Sequence, residues 1–185
     1  RIEQLFRSYS ADVRSAATKQ LKVSVSDSQK KQAARIAALL KAVKAAKASA
    51  ANGRRVFLSR KSSCIACHRV GKDGKTIGPD LTQIGKRRDT RDLVEAIAFP
   101  SSSFARGFES HTIVLESGRI VSGMILRQAA GSLVVRTIDQ KEIRIRQRDV
   151  AKMVPNRTSI MPVGLERGMT EKELRDLIAY LRSLR

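Results

Sequence analysis

The chain is poor in aromatic and in acidic residues. Aromatic side chains make up 4% of its 185 residues and Trp is absent, so a core built from its side chains alone would be modest. Asp and Glu number 17 against 37 Lys and Arg, which gives a formal net charge of +20. A surface this basic attracts acidic proteins, anionic lipid or nucleic acid, and charge alone does not choose among them.

Long apolar runs are also lacking. No stretch approaches the roughly 20 apolar residues that a membrane-spanning helix needs, and no charged start followed by an apolar segment indicates a signal peptide. Because the chain begins with Arg1, we take it as a mature chain or as part of a longer one, so the missing signal does not argue against export. The length suits one domain with a large appendage, or two small domains.

Residues 1–51 have a helical pattern. Apolar residues recur at helical spacing in the segment 2–21, and the segment 29–51 is rich in Ala and Lys. The polar stretch between them offers Ser26 and Asp27 as helix N-caps. This pattern predicts an N-terminal extension of two helices that form a hairpin, with most of its basic side chains on a solvated face.

The next part of the chain, up to residue 108, predicts short helices and loops. Helices are expected over 53–60 and 89–99, separated by a loop rich in Gly and Lys. At the other end of the chain, Thr170 and Glu173 have the spacing of a capping box. The helix that follows has one apolar stripe, formed by Leu174, Leu177, Ile178 and Leu181.

Residues 110–154 change to an alternating pattern, which is typical of strands. Four segments are rich in Val and Ile and are separated by turn residues such as Ser117-Gly118 and Ala130-Gly131. They predict a four-stranded antiparallel meander with one polar face. The expected strands are 112–116, 119–127, 132–138 and 142–146.

The run Cys64-Ile-Ala-Cys67-His68 carries the chemistry. Cys-x-x-Cys-His is the attachment signature of c-type haem. Two thiols three positions apart can reach the two vinyl groups on one edge of the porphyrin, and the adjacent imidazole then lies under the iron. The motif therefore predicts one covalently bound haem c, with iron as its metal.

Three other interpretations of the two cysteines remain open at this point. A zinc site needs four ligands, and His111 is the one histidine outside the motif. A thioredoxin-like dithiol would require a preceding strand and a long following helix. A disulfide between Cys64 and Cys67 would close a very small, strained loop.

A pure electron carrier also needs a second axial ligand for the iron. Met161 is the preferred candidate, because Pro162 directly after it stiffens the loop before the last helix. The alternatives are the other methionines and His111, which we expect to be a surface or strand-edge residue. Those other methionines are Met124, Met153 and Met169.

The order of these features resembles a class I cytochrome c. A finer resemblance is to the haem-binding domain family described from Planctomycetes and Verrucomicrobia, and it covers about residues 53–185 but not 1–50. The matching blocks are Gly78-Pro79-Asp80-Leu81-Thr82, Ile84-Gly85-Lys86-Arg87, Leu93, Ala96-Ile97, Pro100-Ser101, Gly107-Phe108, the strand insert with Gly118 and Gly123, Ser159-Ile160-Met161-Pro162-x-Gly164-Leu165, and Asp176-Leu177-Ile178-Ala179-Tyr180-Leu181.

The resemblance implies roles for the matched residues. His68 would be the proximal and Met161 the distal iron ligand, and the carbonyl of Pro79 would accept a hydrogen bond from the other ring nitrogen of His68. Gly78 and Leu81 would belong to the same haem pocket. The crossing of the first and last cytochrome helices would be formed by Gly53, Phe57, Tyr180 and Leu181.

The resemblance also implies a fold. We expect a mainly α protein, in which a class I cytochrome c domain over 52–185 contains a small antiparallel β insert at about 110–154. The helical extension over 1–51 precedes it. Domains of this family often lie at the end of a larger protein, so we expect this one to be part of a larger redox protein.

The function expected from these observations is single-electron transfer between redox partners, without an enzymatic step. The basic surface predicts an acidic redox partner rather than nucleic acid, and covalent haem attachment implies the periplasm. If Met161 does not bind iron, a small-ligand sensor or a peroxidase-like domain with an open iron site is the alternative. A basic nucleic-acid-binding protein is a further alternative, which only the charge supports.

Overall fold

The computed structural model describes residues 8–185. The apolar positions Ile2, Leu5 and Phe6 of the first predicted helix lie outside these residues. The helices of the described part are α1 (Ala11–Lys44), α2 (Ala50–Leu58), α3 (Ile84–Arg87), α4 (Thr90–Ala98) and α5 (Glu171–Ser183). Short 3-10 turns occur at Cys64–Ala66, Gln147–Asp149 and Leu165–Gly168.

The strands form two separate sheets. The small one pairs β1 (Arg69–Val70) with β2 (Asp73–Gly74). The larger one has five antiparallel strands in the order β6-β5-β4-β3-β7. Its strands are β3 (Ser110–Leu115), β4 (Ile120–Ala129), β5 (Ser132–Arg136), β6 (Glu142–Arg146) and β7 (Val150–Pro155).

The predicted helical hairpin is wrong, because α1 is a single helix of 34 residues. The cap candidates Ser26 and Asp27 lie inside it. Ser and Asp lower helix stability by only a few tenths of a kcal/mol each, and neither Gly nor Pro interrupts the segment. The polar stretch therefore continues the helix that the Ala-rich and Lys-rich flanks favour.

The insert has one strand more than predicted. The meander continues through a 3-10 turn into β7, which pairs with β3 on the other side of the sheet. Five of the six residues of β7 are exposed, so it lacks the alternation that indicated the other strands. With 44% helix and 20% strand, the protein combines a helical cytochrome-like part with a substantial sheet and is not mainly α.

Two apolar clusters support these parts separately. The first combines the end of α1 with α2, α4 and α5, and includes Phe57, Leu93, Leu177 and Leu181. The second lies within the sheet and includes Ile113, Leu133, Val135 and Ile145. The candidate site is built on the first cluster.

Helices α2 and α5 cross closely, as the resemblance implied. A Cβ atom on Gly53 would overlap the carbonyl oxygen of Asp176 and would lie 2.7 Å from the Cβ atom of Tyr180. The rings of Phe57 and Tyr180 meet with centroids 5.6 Å apart. Glycine at position 53 therefore lets the two backbones approach directly.

The face of the sheet that was expected to be polar is partly covered. Met124 is buried, and its cross-strand neighbours are Ser110 and Arg136. Arg136 donates hydrogen bonds to the carbonyl and hydroxyl oxygens of Thr76, at 3.4 and 3.3 Å. This end of the sheet thus lies against the loop that leads to Gly78 and Pro79.

Candidate functional site

Residues 64–68 form a compact turn after α2, which we call the motif turn. The backbone N–H groups of Cys67 and His68 both donate to the carbonyl oxygen of Cys64, at 3.1 and 2.9 Å. Both cysteines are free thiols and are half-buried. Burial raises the pKa of Cys64, so this sulfur is held as a thiol and not as an exposed, reactive thiolate.

The imidazole of His68 is fixed through one nitrogen. Its Nδ1 atom lies 2.8 Å from the carbonyl oxygen of Pro79, and a carbonyl only accepts, so Nδ1 carries the hydrogen. Burial lowers the pKa of His68, while the bond to Pro79 opposes that shift. Burial thus favours the neutral ring, and its Nε2 atom makes no hydrogen bond to any residue within 8–185.

Glycines let the backbone close around His68. A Cβ atom on Gly78 would lie 2.5 Å from Cε1, 2.8 Å from Nδ1 and 3.0 Å from Nε2 of the ring. On Gly74 it would overlap the carbonyl oxygen of His68, and the φ angle there is +95°. The sequence indicated Gly78 through the resemblance, whereas the role of Gly74 appears only in the structure.

The segment 76–82, which we call the proline loop, is clamped to the motif turn. Gly78 N–H donates to the carbonyl oxygen of Cys67 at 2.7 Å, and Leu81 N–H donates to that of Arg69 at 2.8 Å. The carboxylate of Asp80 accepts from Nε of Arg69 at 2.9 Å and from the backbone N–H of Thr82 at 2.8 Å. These bonds hold the Pro79 carbonyl against the imidazole, and the spacing of the residues alone did not predict the Arg69–Asp80 pair.

Met161 lies in a segment without regular structure between β7 and the last 3-10 turn. This segment, residues 156–164, we call the Met loop. Met161 is half-buried and packs on the same apolar cluster as Cys64, Ile65 and Leu81. Two residues that are 97 positions apart in the chain, Cys64 and Met161, therefore contact one core.

The other proposed ligands occupy different places. Met124 is buried and Met153 is 41% exposed, both in the sheet, whereas Met169 packs on the first cluster just before the cap of α5. His111 is paired in β3 with Gly123 and Pro155. Its Nδ1 atom is buried without a hydrogen-bond partner among the described residues.

The residues present fit a covalently attached haem. The motif turn offers two free thiols and the Nε2 atom of His68, and the lack of a side chain at Gly78 leaves room for the ring beside the proline loop. Cys64 and Met161 pack against one apolar cluster, and an apolar surface is what a porphyrin requires. Among residues 8–185 no group of three or more His, Cys, Asp and Glu side chains is arranged to hold a metal ion by itself.

A comparison with protein families agrees with this site. Residues 50–113 match the model of the family Cytochrome c, which is about a third of the chain and includes the motif turn and the proline loop. The match supports a c-type cytochrome domain. No curated protein matches the chain.

None of the helices in the described range combines the length and the apolar character that crossing a bilayer requires.

Proposed function

We propose that the chain is a mono-haem c-type cytochrome domain that transfers single electrons between redox partners. The observation that carries the proposal is the state of His68: its Nδ1–H is held by Pro79 at 2.8 Å, and its Nε2 lone pair is free within the described residues. An imidazole fixed in this tautomer is prepared to bind a metal through Nε2. It directly follows the two thiols that attach a haem.

Each site residue then has a distinct task. Cys64 and Cys67 would attach the group covalently, and His68 and Met161 would hold its iron. The bound haem supplies reversible one-electron chemistry. Because His68 and Met161 together would leave no open position on the iron, the proposal assigns no bond-making or bond-breaking step to the chain's own residues and treats the domain as an electron carrier, not an enzyme.

The resemblance to the family from Planctomycetes and Verrucomicrobia supports two finer parts of the proposal. The domain would be part of a larger redox protein, and it would work in the periplasm, where covalent haem is attached. The expected division into an extension over 1–51 and a cytochrome domain over 52–185 is retained with one change. The extension is α1, whose last turns pack on α4 and α5.

The partner proposal rests on the basic residues around the motif. Arg54, Lys61 and Arg69 form ion pairs within the chain, with Asp73, Glu173 and Asp80. Four other exposed basic residues near the motif form no ion pair with any residue of the described part. They are Arg55, Arg60, Lys72 and Lys75. These free charges favour an acidic redox partner, because opposite charge steers the two proteins together.

The decisive test is the mass and the spectrum of the chain produced in a host that matures c-type haem. The denatured protein is expected to retain one haem by mass spectrometry, and the reduced protein to show the sharp bands of a low-spin c-type haem. The variant Cys64→Ser/Cys67→Ser is the matched control and should lose the covalent mass. A wild-type mass equal to that of the bare chain would overturn the proposal.

A further inference from the structure

We infer that Ser159 and Ser101 are positioning residues that hold Met161 in its place through two successive hydrogen bonds. The inference rests on the proposed function, because it assumes that Met161 is the second iron ligand. It assigns a role to two serines that bind no cofactor themselves.

The first bond fixes the backbone of Met161 itself. The backbone N–H of Met161 donates to Oγ of Ser159 at 3.1 Å. A serine hydroxyl that accepts from the N–H two residues later closes a small side-chain turn. With Pro162 limiting the backbone on the other side, the conformation at Met161 is restricted from both neighbours.

The second bond connects this turn to a rigid part of the protein. The backbone N–H of Ser159 donates to Oγ of Ser101 at 3.0 Å. Ser101 lies in the turn after α4, which is closed by the bond from Ser102 N–H to the carbonyl oxygen of Phe99 at 2.9 Å. Helix α4 has four buried apolar residues and a capping box. The two serine hydrogen bonds, which we call the serine relay, therefore connect the Met loop to a well-packed helix.

The relay is needed because the sheet separates these serines in the chain. Residues 110–155 lie between them, and a loop that closes so large an insert is otherwise free to vary. The ends of the insert are clasped by Asn156, whose Nδ2 donates to Oγ of Ser110 at 3.0 Å and whose Oδ1 accepts from Oγ1 of Thr112 at 2.8 Å. These bonds of Asn156 bring the Met loop back to α4. The two serine hydrogen bonds then fix the position of Met161 relative to that helix.

The far end of the Met loop has its own anchor. Gly164 takes a φ angle of +88° and starts the 3-10 turn that contains Glu166. Glu166 is buried, and its Oε1 atom lies 3.6 Å from Nη2 of Arg35 on α1. The segment around Met161 is thus held at both ends, and the serine relay is the only one of these contacts that reaches the N–H of Met161 itself among the described residues.

The test compares how strongly added imidazole displaces the methionine from the oxidised iron. In Ser159→Ala and in Ser101→Ala, imidazole is expected to bind roughly tenfold more tightly, which is the factor that one lost hydrogen bond typically gives. Ser159→Thr keeps the hydroxyl and should remain near the wild type. Because both serines act in one chain of contacts, the double variant should bind imidazole much less than a hundredfold more tightly.

Ser103→Ala is the matched control, since Ser103 is exposed and lies two residues from Ser101. Amide hydrogen exchange at Met161 gives a second readout and should accelerate in the two relay variants but not in the control. Imidazole affinity and exchange within twofold of the wild type in both relay variants would overturn the inference. A wild-type protein without the near-infrared sulfur-to-iron band would instead show that the ligand assignment itself is wrong.

Discussion

The Nδ1 atom of His68 lies 2.8 Å from the carbonyl oxygen of Pro79, eleven residues later in the chain. This bond decides which ring nitrogen carries the hydrogen and leaves Nε2 with its lone pair. It depends on Gly78, because any side chain at that position would enter the space of the imidazole ring. The proline loop is therefore part of the site although none of its side chains is an iron ligand.

Gly78→Ala is expected to disturb the site directly. The added Cβ atom would lie 2.5 Å from Cε1 of His68, so the ring must move away and weaken its bond to Pro79. We expect a lower yield of haem-loaded protein and a shifted reduction potential, measured by absorption and by redox titration. Gly168→Ala is the matched control, because a Cβ atom there meets no atom within 4 Å; equal behaviour of the two variants would contradict the prediction.

Met161→Ala is expected to abolish the weak near-infrared band that a methionine sulfur bound to oxidised haem iron produces. The variant should also bind external ligands at the vacated position and have a lower reduction potential, since the thioether favours the reduced iron. His111→Ala serves as the control, because His111 is held in the register of β3. If the band survives in Met161→Ala, or disappears in His111→Ala, the assignment is wrong.

Asp80 makes the stability of the protein depend on pH in the acidic range. Hydrogen bonds from the hydroxyl and the backbone N–H of Thr82, and then from Arg69, lower the pKa of Asp80 from 3.8 to about 2. A folded-state pKa below the unfolded one stabilises the protein above the unfolded pKa, and this contribution is lost as the pH falls through about 2. The side chain is 39% exposed, so solvent screens the effect and it is modest.

The measurement is the free energy of unfolding in urea for the wild type and for Asp80→Asn at pH 6 and at pH 2. The wild type should be more stable than Asp80→Asn at pH 6, and most of that difference in the free energy of unfolding should be lost at pH 2. An advantage of the same size at both pH values would contradict the role given to Asp80.

Gly53→Ala tests the crossing of α2 and α5. In an open helix this change stabilises by up to about 1 kcal/mol. Here the new Cβ atom would overlap the carbonyl oxygen of Asp176, so the helices must separate, and we expect a destabilisation of about 2–3 kcal/mol. Thermal or urea unfolding measures whether the variant is less or more stable than the wild type. A more stable variant would contradict the close approach of the α2 and α5 backbones.

The basic surface near the motif is expected to select the partner. Electron transfer to a small acidic protein should be faster than to a small basic one at low salt, and the difference should shrink as salt screens the charges. The double variant Lys72→Glu/Lys75→Glu should lower the rate of electron transfer to the acidic protein by roughly tenfold at low salt. The control Lys19→Glu/Lys22→Glu reverses the same number of charges on the exposed part of α1.

Two outcomes would contradict the partner proposal. Equal rates with the acidic and the basic protein would remove the basis for charge steering. Tight binding of the chain to duplex DNA at physiological salt, with no preference between the two redox proteins, would favour a nucleic-acid-binding role instead.

Several features followed from the sequence because their causes are local. The capping box of Thr170 and Glu173 is present, since four consecutive residues decide it. The helix near residues 89–99 and the buried stripe of α5 were also confirmed, because helical spacing of apolar residues is visible in the sequence. The motif Cys64-x-x-Cys67-His68 pointed to haem for the same reason, as the three groups must be neighbours.

Other predictions failed where packing or a distant partner decides. The polar stretch at Ser26 and Asp27 suggested a break, but local caps compete only weakly with the helical tendency of long flanking segments. Strand β7 escaped prediction because an edge strand that is mostly exposed does not alternate. The sheet was expected to have one polar face, but Met124 in β4 is buried and its cross-strand neighbour Arg136 contacts Thr76 of a loop from another part of the chain.

The sequence by itself determined the motif, the caps and the apolar stripes, because each depends on residues within one or two turns of each other. The bond from His68 to Pro79 was expected through the resemblance and is present. Only the tertiary structure decided that Asp80 pairs with Arg69 and that Ser101 and Ser159 come together across the inserted sheet. These contacts need the chain to close loops of very different lengths, and side-chain spacing carries no information about which loops close. The Cys-x-x-Cys-His motif is therefore visible in the sequence, whereas the contacts of Arg69 with Asp80 and of Ser101 with Ser159 are visible only in the fold.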